Sequence, residues 1–158
     1  MAPETVHIPH FIVSGLSVHT TNHAEFNPAT AKLPGLWGQF FAGGVSDKIT
    51  NRQPKSAPFG QSILGVYSAY ETDATGPYTV TAGVAVTAPS AGFSCIDINE
   101  GPYLAFTAKG PMPTTVIQTW VSIWAYFEQN PQVKRCFLTD FEAYSGLDEV
   151  TIHIGILP

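Results

Sequence analysis

Apolar residues along this chain recur with two different periods, and the change of period marks the elements. Val150, Ile152, Ile154 and Ile156 alternate along one face of a closing strand. Together with the stretch before it, LTDFEAYSGLDEVTIHIGI (138–156) reads as a β-hairpin. Its first strand carries Asp140, Glu142 and Tyr144 at every second position, so two acids and a phenol share a face. Residues 5–21, TVHIPHFIVSGLSVHTT, predict a strand rich in β-branched residues, entered after Pro9. ILGVYSAYE and YTVTAGVAV predict two strands joined by the turn-rich TDATGP; FSCIDI reads as an edge strand and YLAFTAKG as a further one.

Two stretches follow the helical rhythm instead. In EFNPATAKLPGLWGQFFAGG, Leu33, Leu36, Trp37, Phe40 and Phe41 recur at three and four. Asn27 suits the N-cap, Pro28 the first helical position, Pro34-Gly35 a kink or restart, and Gly43-Gly44 the end. In PTTVIQTWVSIWAYFEQN the stripe is Ile117, Trp120, Trp124 and Phe127, widened by Val116 and Ile123. That helix starts at Pro113, Thr114 or Thr115 and stops at Asn130-Pro131. Between the helices and the strands lies a polar, mobile-looking loop, SDKITNRQPKSAPFGQ.

The order strand–helix–strand–strand thus occurs twice, and the halves echo one another. LWGQFF resembles IWAYFE, and a constant offset lays Tyr70-Glu71 over Phe141-Glu142. The expectation is an α+β single domain, residues 1–158, made of a duplicated β-α-β-β module (about 5–88 and 93–158). An antiparallel sheet would carry both helices on one side, with a pocket where the halves meet.

Composition narrows the chemistry. The chain is 44% hydrophobic but only 12% charged, and its net charge of -5 speaks against a protein that holds a phosphate backbone directly. Two cysteines, Cys95 and Cys136, make neither a disulfide framework nor a zinc motif, and the five histidines form no site. No nucleotide-binding or hydrolase-elbow motif occurs, so no cofactor or metal is expected. The N-terminal residues lack a secretory pattern and no apolar run approaches a membrane span, which points to a cytoplasmic protein without membrane partners. Ten Phe, six Tyr and three Trp are the unusual feature, since a surplus of aromatics also lines ligand pockets.

Alternation alone leaves Glu142 open. Phe137, Thr139, Phe141 and Ala143 would make a buried face and leave Glu142 in water, yet the even face also carries Cys136, Leu138 and Tyr144. Glu71, beside its turn, reads as exposed.

The two modules, the Trp-bearing helix in each, GVYSAYETDATGPY after the first helix and TDFEAY after the second resemble the GyrI-like effector-binding domain, from about Val6 to Ile156. That domain is found fused to AraC-type and MerR-type DNA-binding regions in bacterial, often multidrug-sensing, regulators. The chain is similar above all to free-standing members, those of integron cassettes that bind cationic drugs among them, and it shows no helix-turn-helix region. The resemblance implies an aromatic-lined pocket with a carboxylate at its base. The acid maps to Glu142, flanked by Asp140 and Tyr144; the aromatic wall maps to Trp37, Trp124, Tyr67, Tyr78 and Trp120, and Phe141 beside the acid joins the candidate ligand-binding set. The implied partners are small hydrophobic organic cations, with a protein partner or a separate regulator as further possibilities. Two other readings compete with a non-enzymatic binder. One is a hydrolase of electrophilic compounds using Glu142 with Tyr144 or Tyr67 as general base. The other is a protein–protein modulator acting through an acidic surface such as Asp148-Glu149.

Overall fold

The computed structural model describes residues 2–158. Eight strands form one antiparallel sheet: β1 (Glu4–Ile8), β2 (Phe11–Thr20), β3 (Ile63–Ser68), β4 (Tyr78–Val86), β5 (Ser94–Ile98), β6 (Gly101–Lys109), β7 (Arg135–Ser145) and β8 (Glu149–Ile156). Four helices complete the fold: α1 (Asn22–Glu25), α2 (Leu33–Ala42), α3 (Val45–Lys48) and α4 (Thr114–Gln129). The strands lie in the order β1-β6-β8-β7-β3-β4-β2-β5. The expected α+β class and antiparallel sheet hold, and α2 and α4 pack on the same side.

Residues 5–21 do not run as one strand. The chain breaks at Pro9-His10, and β1 leaves to pair with β6 while β2 pairs with β4 and β5. In the same way β5, the edge strand expected from FSCIDI, pairs with β2 of the first half. Each half therefore lends its leading strand to the other.

The sheet also corrects the offset between the halves. One row of paired residues crosses six strands: Leu16, Ala82, Gly65, Glu142, Ile152 and Phe106. Its centre is the Gly65–Glu142 pair, and outward from it the strand order is the same in both directions. The counterpart of Glu142 is Gly65, not Glu71, which lies exposed in the β3–β4 connection. That connection, residues 69–77, is far longer than 146–148 between β7 and β8, so no constant offset survives it.

Helix α2 starts later than Asn27-Pro28 suggests. Asn27 instead builds a turn, its Oδ1 accepting from the Ala29 N–H at 3.0 Å. The helix restarts at Leu33 with Pro34 in its first turn, and Glu25 from α1 caps it by accepting from the N–H groups of Lys32 (2.9 Å) and Leu33 (3.1 Å). Thr21 caps α1 in turn, accepting from the Ala24 N–H. Gly44, with φ of 58°, closes the end as read from Gly43-Gly44. Helix α4 runs from Thr114 to its C-cap at Asn130.

Both faces of the central strands are dry. On the helix side, Leu36, Phe40, Val80, Ala82 and Val84 form one cluster, and Leu104, Ile123, Val150, Ile152 and Ile154 form another. On the other side, Ile8 and Ile98 from opposite edges of the sheet share a core with Leu64, Val66, Phe141 and Ala143. The loop read as mobile is pinned to this face: Phe59 stacks on Phe11 at 5.2 Å, and Arg52 bridges to Val86.

Candidate functional site

The two helices do not meet over the sheet. Between them, above the Gly65–Glu142 pair, lies a cavity of about 750 Å³. Trp37 and Phe41 reach it from α2, Ile117, Trp120, Val121 and Trp124 from α4, Tyr67 and Tyr78 from the sheet, and Glu142 and Tyr144 from β7. Helix α4 explains its own stripe in this way. Ile123 is fully buried on the sheet, while Ile117 is exposed toward the cavity, so the stripe serves two surfaces.

Glu142 is 3% exposed. Its Oε2 accepts from the Trp120 indole N–H at 2.7 Å and the Tyr67 hydroxyl at 2.9 Å, and its Oε1 accepts from the Tyr144 hydroxyl at 2.8 Å. Among the described residues no Lys, Arg or His pairs with it. Burial raises its pKa above the ordinary 4.5, and the three donors pull back toward the charged form. The same burial and the neighbouring carboxylate push the Tyr67 and Tyr144 phenols up, so both stay protonated and available as donors.

Asp140, two residues earlier on the same face, is treated differently. It is fully buried, with Arg135 Nη2 at 2.7 Å, the Tyr70 hydroxyl at 2.5 Å and the Gly155 N–H at 2.8 Å. The Arg135 guanidinium lies 4.4 Å from the Phe137 ring centroid. Phe137 reaches that side because β7 is irregular between Arg135 and Asp140, and Phe137 takes a φ of 54°. The same irregularity turns Leu138 out to solvent, away from the face on which alternation sets it.

Of the residues singled out in the sequence, Glu142, Trp37, Tyr67, Tyr78, Trp120, Trp124 and Tyr144 border this one cavity. Phe141 does not. It points from the opposite face, fully buried, and stacks on His153 with centroids 4.3 Å apart. Adjacent strand residues face opposite ways, so Phe141 and Glu142 were never able to share a pocket. Strand alternation sorts residues between a wet and a dry face only where one face of the sheet meets water; both faces of β7 are dry here, so Phe141 and Glu142 are buried together.

Sequence reading missed Gly65. A Cβ there would stand 2.7 Å from Glu142 Oε1 and 3.0 Å from Trp37 Cζ2, so the bare backbone makes the room in which the carboxylate sits. A glycine inside a buried strand was the available signal. Also missed were the rim residues Phe26 and Leu147, 70% and 95% exposed. Phe26 leans on Trp124 at 6.1 Å and so reaches from α1 toward α4.

The family model for Cass2, the integron-associated effector binding protein, matches residues 4–156. The chain belongs to this family. Among solved structures, the Cass2 integron cassette protein from the mobile metagenome of Vibrio cholerae is 31% identical, with 99% of this chain and 96% of that one covered and a TM-score of 0.81. YobU, a candidate transcriptional regulator of Bacillus subtilis (strain 168), is 29% identical over 148 residues, 87% of this chain and 85% of that protein. SAV2435, solved bound to tetraphenylphosphonium, shares the fold at 18% identity, with a TM-score of 0.78 over 99% of this chain and 94% of that one. Membership in the integron-associated effector-binding family makes small-molecule binding the role of this domain.

Proposed function

We propose that this protein binds amphipathic organic cations in the cavity between α2 and α4, with Glu142 as their counter-charge, and that it does so without turning them over. The observation that carries the reading is the contrast within β7. Asp140 has a buried cation of its own, whereas Glu142 has donors but, among the described residues, no paired cation, and faces about 750 Å³ of aromatic space. A buried, unpaired carboxylate is costly. A delocalised cation supplies the missing charge at little desolvation cost. At about 4 Å and an effective dielectric near 20 the attraction is about 4 kcal/mol. Indole and phenol faces add about 0.5–2 kcal/mol each. The tetraphenylphosphonium held by SAV2435 is a cation of this kind.

All three tryptophans border the cavity, so ligand entry is readable as quenching of intrinsic fluorescence. Titration with tetramethylrosamine, a flat xanthylium cation, is expected to give saturable binding. Glu142→Gln weakens it by tenfold or more, about 1.4 kcal/mol. No saturable binding, or equal affinity in both proteins, overturns the proposal. Steady turnover of a bound ester, abolished by the same substitution, makes the hydrolase reading the better one.

A further inference from the structure

Arg135 also borders the cavity, its guanidinium 6.0 Å from the Tyr70 ring centroid. Its side chain is only 7% exposed. A guanidinium carries five N–H groups. Among the described residues its one acceptor is Asp140, which Nη2 meets at 2.7 Å, and Nε is buried with no partner. Tyr70 does not relieve it: its hydroxyl donates to Asp140, and among the described residues no Arg135 N–H bonds to it. Nε is sealed from the cavity, but Nη1 has no protein partner and is not sealed in that way, so water satisfies it while the cavity is wet. Once an apolar ligand displaces that water, the donors stay dry unless the ligand brings an acceptor.

The charge balance decides which acceptor. Asp140 already neutralises Arg135, so this end of the cavity offers hydrogen-bond donors and little net field. A ligand carboxylate would also face Asp140 and lose by repulsion and desolvation. A neutral carbonyl takes the hydrogen bond without that cost. Asp140 and Glu142 are successive same-face residues of a strand, about 7 Å apart. We infer that the cavity selects aromatic cations that carry a neutral carbonyl acceptor, such as an ester, ketone or amide, roughly 7–10 Å from the positive charge, and that Arg135 is the donor that reads it. This rests on the cation reading of Glu142 and adds a second point of recognition to it.

Three dyes with one xanthylium core test the inference: tetramethylrosamine without a substituent, tetramethylrhodamine methyl ester, and tetramethylrhodamine with its free carboxylate. The ester is expected to bind wild type about fivefold to tenfold more tightly than the rosamine, the worth of one net hydrogen bond. The carboxylate binds no more tightly than the rosamine. Arg135→Lys keeps a cation beside Asp140 but withdraws the guanidinium fork, and the ester-to-rosamine ratio then falls to within about twofold. Because each ratio is taken within one protein, loss of folded material cancels. Equal affinity of ester and rosamine in wild type, or an ester preference that persists in Arg135→Lys, overturns the inference and leaves the cation reading standing. If the rosamine itself fails to bind wild type, the cation reading falls and this inference falls with it.

Discussion

Two carboxylates stand two residues apart on β7, and their surroundings give them opposite tasks. Asp140 ends its life as a structural acid, since Arg135, Tyr70 and the Gly155 N–H use up its oxygens. Glu142 has three donors and, among the described residues, no paired cation beside its aromatic rings, and this sets a pH dependence. Its pKa in the free protein lies above the ordinary 4.5, and a bound cation favours the ionised form and lowers it again. Affinity for a cation therefore rises with pH through the raised value and levels off above it, and binding releases a proton in that window. The sign for folding without ligand is the reverse. The raised pKa contributes stability below the unfolded value, and this is lost as pH rises through the folded value. Calorimetric titration in two buffers of different ionisation enthalpy is expected to show proton release in the acid range above the ordinary carboxylate value, fading as pH rises past the raised one; uptake of a proton, or no buffer dependence at any pH, contradicts the assignment. The sequence displayed this acid and its phenol neighbours plainly. It could not display the dry second face, because the residues that cover it, Phe59, Ile8 and Ile98, come from distant segments.

At the scale of elements, most of the fold was legible because the periods were clean. β4 begins and ends where YTVTAGVAV does, and the α4 pattern marks its turns. Misreadings fell where a partner distant in sequence or a break in the chain outweighs a local signal. Asn27-Pro28 has the chemistry of a helix start, yet the cap that operates is Glu25, brought up by a one-turn helix that no periodicity marks. The repeat was visible but misaligned, because only the ladder fixes Gly65 opposite Glu142. That pairing makes a sharp prediction. Glu142 is held by three hydrogen bonds and cannot swing away from an added methyl, nor can Trp37 retreat far from Phe40 and Tyr144. Gly65→Ala is expected to destabilise the fold by about 1–3 kcal/mol, the usual cost of overpacking, and to weaken cation binding by at least as much as Glu142→Gln. Denaturant unfolding and the rosamine titration measure both. A neutral effect on each contradicts the crowding read from the backbone.

At the scale of the molecule, exchange of β1 and β5 ties two similar halves into one sheet, and their shared axis runs through the Gly65–Glu142 pair. The duplication is what opens a cavity there. Each half contributes one helix, the helices stand apart, and the strand pair beneath them is a bare glycine on one side and an acid on the other. The net charge of -5 adds a weak general attraction for cations, but a diffuse surface field does not distinguish flat cations from neutral molecules of like shape. A single buried carboxylate does. The most direct measurement is the affinity of wild type and Glu142→Gln for two ligands of similar bulk, tetraphenylphosphonium and the neutral triphenylphosphine oxide. The account predicts that the substitution weakens the cation by about tenfold or more and the neutral compound by less than about twofold. An equal loss for both ligands, or no loss for the cation, would contradict it.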